Sequence, residues 1–298
     1  MIITTTMVSA MILLYTMQSF FCRIYTDNYP GEKHNASPVY TVVSGLSVAI
    51  ITFAFTGFSF SAKPITLLLG VLNAVALFGY NYFIIKASQR GSYSVMMVFL
   101  IAGGIVLPAL VANIAFGDKI SLLKALSIIV IFASVYLISY KKEEQSEEKK
   151  KARMLFLLIC FALAICNGAY GAFLDVQQRL TGVGEKEEMV IVTFLLAALS
   201  STITLFVANK KETPKAFVQS KRSLVFLIAC SIVCALAINV MVYVLKLVEV
   251  TVLYTFDNAG VMLLSVIASR VFFKEKLTPI NIIGCVTMCL ALVGVAVF

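Results

Sequence analysis

Ten long, unbroken apolar segments limit what this chain can fold into: residues 2–22, 39–60, 65–86, 93–116, 122–140, 154–174, 189–208, 223–245, 250–272 and 280–297. Each is close to the roughly 20 residues needed to cross a hydrocarbon core of about 30 Å. Their apolar character is continuous instead of alternating, which excludes the strands of a membrane β-barrel. Within lipid a backbone must satisfy its own hydrogen bonds, and a helix does so internally. The expected fold is an all-α integral membrane protein with ten transmembrane helices.

Composition agrees once the charges are located. Of the 298 residues, 60% are hydrophobic and 13% charged, so the spans leave no room for a soluble catalytic or nucleic-acid-binding domain. The net charge of +9 belongs to loops near lipid and not to a nucleic-acid surface. The first segment has no Lys or Arg before it and no small-residue cleavage site, so it reads as a retained span. Seven cysteines all lie in apolar stretches, and the only histidine is His34 in a loop. Neither a disulfide framework nor a metal site is expected, and no cofactor. Phosphate-loop, zinc-protease and serine-hydrolase signatures are absent, so the chain reads as a non-enzyme.

The most charged loop, 141–153, divides the chain into five segments plus five. Sliding the second half over the first by 157 residues aligns 93–139 with 250–296 without a gap. The alignment pairs Phe116, Gly117, Asp118, Lys119, Ile120 and Ser121 with Phe273, Lys274, Glu275, Lys276, Leu277 and Thr278. The shared pattern is aromatic, any, acid, Lys, aliphatic, hydroxyl. This divides the chain into a first repeat (1–140), a charged linker loop (141–153) and a second repeat (154–298). An odd number of crossings inserts the second copy upside down, an arrangement typical of secondary transporters.

On these residues the chain resembles the ten-helix EamA-type members of the drug/metabolite transporter superfamily, over essentially its whole length. That family ends each half with a Gly-Glu-Arg/Lys-Leu-Ser/Thr junction followed by a helix with a glycine about six residues on. The second copy keeps Glu275, Lys276, Leu277, Thr278 and Gly284; the first has Asp118, Lys119, Ile120 and Ser121, with Ser127 at the glycine position. The resemblance implies two inverted five-helix repeats and export of a metabolite or amino-acid-like solute. It also implies cytoplasmic termini, whereas the basic residues point the other way: 18 Lys and Arg follow odd-numbered segments and six follow even-numbered ones. By the positive-inside rule the 18 face the cytoplasm and the termini lie outside. Both orientations stay open at this point.

Function should reside in the few polar residues inside the spans. Asp257 lies about 12 Å along its helix from Glu249, close to the midplane, where a charge costs about 2.5–3.5 kcal/mol on insertion scales. Tyr254, Asp257 and Asn258 share a helix face with Val261 and Ser265. An unpaired acid there is suited to binding a cation or to exchanging protons near neutral pH. Lys246 and Arg270 snorkel to the interface in this reading, the alternative being that one of them pairs with Asp257. Further polar stripes are Asn73, Tyr80 and Asn81; Asn167 and Tyr170; and Asn239 and Tyr243, with Gln18 opposite Asn167 when segments one and six are aligned. Gly103 and Gly104, with Gly260 at the repeat offset and Pro108 nearby, mark helix weak points of the kind found at transporter binding sites.

The leading expectation is a gradient-driven transporter of a small organic solute in the cell membrane, working by alternating access, with protons as a candidate coupling partner. The alternatives are an intramembrane lipid-handling protein (a flippase or a lipid-modifying protein) and a non-transporting membrane scaffold.

Overall fold

A computed structural model describes residues 2–139, 146–181, 184–208, 216–248, 250–275 and 278–297. Residues 140–145, Glu249, Lys276 and Leu277, all used above, lie outside the described residues. Ten α-helices follow one another among the described residues: α1 Ile2–Asn28, α2 Ala36–Phe55, α3 Pro64–Ser88, α4 Tyr93–Phe116 and α5 Leu122–Ser139, then α6 Glu147–Thr181, α7 Lys186–Ala208, α8 Lys221–Val244, α9 Val250–Val271 and α10 Pro279–Val297. Eight have the length and apolarity to cross a membrane, and Pro279–Val295 forms a shorter apolar helix. Large apolar side chains such as Ile50, Val75, Ile114, Leu122 and Val207 are exposed on the outside, as a lipid-facing surface requires. The protein is an all-helical, multi-pass membrane protein.

Four boundaries differ from expectation by five residues or more, the first being that of α1, which runs on to Asn28 instead of ending at residue 22. The second segment stops at Phe55, not residue 60, because Gly57 and Phe58 both take positive φ (65° and 62°), which ends a right-handed helix. The linker, expected as a loop through residue 153, is helical from Glu147 onward. Glu147 and Glu148 occupy the first turn, where acids favour a helix, Lys150 pairs with Glu147 at 2.8 Å, and Arg153 donates to the carbonyl of Ser139. At its other end α6 also runs past the apolar stretch, so Asp175 and Arg179 sit on its last turns.

The repeated six-residue junction has a physical explanation. After α4, Gly117 adopts the left-handed conformation (φ 72°) and the N–H of Asp118 donates to the carbonyl of Ala112 at 3.4 Å. After α9, Lys274 adopts it (φ 53°) and the N–H of Glu275 donates to the carbonyl of Ser269 at 3.1 Å. Both are the glycine-type helix stop, with a non-glycine residue carrying the strain in the second copy. The hydroxyl at the end of the junction caps the next helix: Ser121 Oγ accepts from Lys124 N at 3.1 Å, and Thr278 Oγ1 from Asn281 N at 3.4 Å. Every residue in this set is 157 positions from its counterpart.

The helices of the two halves interleave. α2 packs on α7, α5 on α10 and α4 on α9, while α1 packs on α8 and α9, and α6 on α3 and α4. Asn281 Nδ2 donates to the carbonyls of Leu137 (3.2 Å) and Ile138 (2.8 Å), and Ser134 shares a hydrogen bond with Thr287 (2.8 Å), fixing α5 against α10 at the edge of the bundle.

The tightest crossing is α4 against α6, where backbone meets backbone. A methyl group at Gly103 would fall on the peptide of Ala164, and one at Gly168 on the carbonyl of Gly103. At Gly104 the nearest atom is the side-chain amide of Asn167, 2.8 Å away, which can rotate. Gly103→Ala is therefore expected to cost about 1–3 kcal/mol through overpacking, with Gly104→Ala costing clearly less. Melting temperatures of the purified protein check the order; equal values for the two variants contradict it.

Candidate functional site: a polar cavity at the bundle centre

Eight helices, all except α5 and α10, surround a central cavity of about 130 Å³. One water needs about 10–15 Å³ on such a measure, so the space suits a small solute. The cavity lies between the two main apolar clusters of the bundle, and Tyr15 and Tyr80 touch both. Its depth follows from the helices: the lining residues fall near the middle of α1 (Tyr15, Gln18, Ser19), α3 (Leu77, Tyr80, Asn81), α6 (Asn167, Tyr170, Gly171) and α8 (Cys234, Ile238, Met241).

Most polar residues expected at the site converge here. Tyr254, Asp257, Asn258, Asn167, Tyr170, Gln18 and Asn81 all line the cavity. Several are held by the helices: Asn167 Nδ2 donates to the carbonyl of Leu100 (2.9 Å), Asn258 Nδ2 to that of Tyr254 (2.6 Å), and Gln18 Nε2 to the hydroxyl of Tyr40 (3.3 Å). Gly104, between Asn167 and Asn258, keeps the wall clear of a side chain. The Oδ1 of Asp257 and the hydroxyl of Tyr170 are buried with no hydrogen-bond partner. Polar atoms cut off from water normally have partners, so these two are free to meet a ligand.

Three expected residues lie elsewhere. Asn73 is 1% exposed but does not line the cavity. Asn239 bonds Thr52 Oγ1 (3.0 Å) and the carbonyl of Ala235 (2.8 Å), which ties α8 to α2. Tyr243 is 49% exposed on the outer surface. Of the weak points, Gly104 lines the cavity, whereas Gly103 serves the α4–α6 crossing and Gly260 packs against the side chain of Ile12. Lys246 pairs with Glu187 (2.5 Å) and Arg270 is exposed, so neither meets Asp257. The spacing argument missed Tyr15, Tyr40 and Ser44, which also line the cavity. With Tyr80, Tyr170 and Tyr254 they bring five phenol rings to it and, among the described residues, no Lys, Arg or His.

The two ends of the bundle differ. A narrower cavity of about 60 Å³ shares Gly104 and Tyr254 with the central one and continues past Pro108 to the loop after α4 and the last turns of α6. At its mouth Arg179 binds Asp118 twice (2.7 and 3.1 Å) and Asp175 once (3.0 Å). Arg179 holds the Asp118 carboxyl below the usual carboxylate range, so this pair is charged at neutral pH. The opposite end is shut. Ser19 and Tyr93 share a 2.6 Å hydrogen bond above the cavity, and Phe20, Phe272, Phe273 and Tyr93 stack with ring centroids 4.9–5.5 Å apart. Over them Glu275 accepts from the backbone N–H groups of Tyr93 (2.5 Å) and Ser94 (3.2 Å) and from the hydroxyls of Ser92 (2.7 Å) and Ser94 (2.8 Å).

Comparisons with known proteins bear on this arrangement. No curated protein matches the chain. Twenty-nine solved chains do match. One, a protein crystal structure at 13% identity, superposes over 99% of this chain and 97% of that chain with a TM-score of 0.65, a likeness of fold alone. Among protein families, residues 154–297 match the EamA-like transporter family. The match spans the second half of the chain, most of α6 through α10, and the EamA-like transporter family is part of the drug/metabolite transporter superfamily.

Proposed function

We propose that the protein is a secondary transporter of the cell membrane that carries a small organic solute bearing a positive charge, such as an amine or amino-acid-like metabolite, by alternating access. The observation that carries this reading is Asp257: a buried, unpartnered carboxyl oxygen facing a central cavity lined by five tyrosines and, among the described residues, by no basic side chain. A carboxylate supplies a counter-charge, and phenol rings attract a cation with their faces at about 0.5–2 kcal/mol each. A solute carrying a net negative charge would meet no compensating charge there.

Two inverted repeats, 1–140 and 154–298, provide the alternation. The helix contacts are largely preserved when helix n is exchanged for helix n+5: α4–α6 becomes α9–α1, α1–α8 becomes α6–α3, and α2–α7, α4–α9 and α5–α10 map onto themselves. The matched helix stops and caps 157 residues apart support the same relation. Two related halves have two nearly equal packings, one open to each side. Transport is driven by a gradient, with protons exchanging on Asp257 as the candidate coupling, and the physiological direction is export.

The test is uptake into proteoliposomes under an imposed pH gradient, with radiolabelled amines, quaternary ammonium ions, amino acids and carboxylic acids compared. Amine-bearing solutes are expected to accumulate. A protein that carried only the carboxylic acids would overturn the reading.

A further inference from the structure

A cavity separate from the transport site, and larger than it, lies at the end of the bundle that Glu275 shuts, against the last turns of α3 and the 3₁₀ turn Lys33–Asn35 before α2. It has a volume of about 440 Å³. Lys33, Lys86 and Arg90 line it, with His34, Ser37, Tyr82 and Gln89, and among the described residues no Asp or Glu does. The nearest acid in sequence, Glu32, is engaged by His34 Nδ1 at 3.1 Å. Among the described residues no carboxylate pairs with Lys33, Lys86 or Arg90. Lys86 Nζ donates to the Tyr82 hydroxyl and sits 4.5 Å from the centre of that ring, neutral contacts that leave its charge uncompensated.

The walls are held in place independently of any ligand. Gln89 Nε2 donates to the carbonyl of Lys33 at 3.0 Å, which ties the end of α3 to the turn before α2, and Arg90 Nη1 donates to the carbonyl of Lys86 at 3.3 Å within the end of α3. Three cations around one cavity repel each other, and an anion between them removes that cost. A planar guanidinium and two ammonium groups suit phosphate oxygens in particular. The apolar spans of α2 and α3 place the cavity at the level of the lipid headgroups, on the side whose loops carry most of the Lys and Arg.

We propose that this pocket binds the phosphate of an anionic phospholipid and so seats the α2–α3 end of the bundle on an anionic leaflet. The site is separate from the central cavity, and the proposal does not depend on what is transported. Basic pockets at such interfaces gain about 1 kcal/mol per Lys or Arg from an anionic surface, a factor of about five each.

The test is native mass spectrometry of the full-length protein released from nanodiscs containing equal phosphatidylglycerol and phosphatidylcholine. The wild-type protein is expected to retain phosphatidylglycerol preferentially. The Lys86→Gln, Arg90→Gln double variant is expected to lose that preference by about 25-fold, while the charge-conserving Lys86→Arg, Arg90→Lys variant keeps it. Equal retention of the two lipids by the wild type overturns the proposal, as does an unchanged preference in the neutralised variant. Excess inorganic phosphate is expected not to displace the lipid. Displacement would assign the pocket to soluble phosphate and overturn the lipid assignment. The charge-conserving variant and an unchanged melting temperature separate loss of binding from loss of fold.

Discussion

Asp257→Asn is expected to reduce transport of a positively charged solute by about 30-fold or more while leaving the melting temperature unchanged or higher. The two halves of that expectation have different causes. Asn has the same shape as Asp but no charge. A cation in the cavity would then lack its counter-ion, and removing one member of a buried charge pair costs about 2–5 kcal/mol. The empty protein experiences the opposite effect. A carboxyl group with an unpartnered, buried oxygen weakens the fold, and an amide beside Tyr254 and Asn258 is cheaper to keep from water. Asp257→Glu moves the carboxyl by about one bond length, and an intermediate loss is expected. If the acid carries protons instead of binding the solute directly, Asp257→Asn removes the pH dependence of transport. A variant with wild-type rate and wild-type pH dependence removes Asp257 from the mechanism.

The transmembrane helices were legible because lipid imposes a simple length and polarity rule, and the helix face of Asp257 because helical periodicity fixes angles. Periodicity does not fix depth or neighbours. Asn73 shares a stripe with Tyr80 and Asn81, yet it lies seven and eight residues earlier on α3, about 12 Å along the axis from Asn81, and so falls short of the cavity that the other two line. Asn239 has the right face but its partner is Thr52, 187 residues away. Tyr15 and Tyr40 were missed for the reverse reason: a tyrosine in an apolar helix looks the same in sequence whether it faces a cavity, lipid or the interface. The charged stretch before residue 154 read as a loop by composition alone, whereas the Glu147–Lys150 pair and the acidic first turn extend α6 through it. Glu275 was visible only as one letter of a repeated motif. Its partners at the start of α4 lie 181–183 residues away and could not be inferred from the motif.

Glu275→Ala is expected to open the end of the bundle that the acid now shuts. One carboxylate satisfies four donors there: two backbone N–H groups of the first turn of α4 and two serine hydroxyls. Hydrogen bonds to a charged group contribute about 1.5–3 kcal/mol each, and part of that sum returns as hydration when the donors reach water. A net loss of about 3 kcal/mol is enough to shift a two-state balance by about 100-fold. Below Glu275, the Phe273 contacts with Phe20 and Tyr93 and the Ser19–Tyr93 hydrogen bond depend on α4 staying in register with the α9 stop. Hydrogen exchange at the amides of Tyr93 and Ser94 is therefore expected to speed up by at least tenfold in Glu275→Ala, and transport to slow because closure on this side is lost. The counterpart acid supplies the control. Asp118 occupies the same corner of the first repeat, but Arg179 holds it at the other end of the molecule, beside the mouth of the narrow cavity. Asp118→Asn should leave Tyr93 and Ser94 as protected as in the wild-type protein. Equal exchange in both variants means that Glu275 caps a helix without gating the cavity.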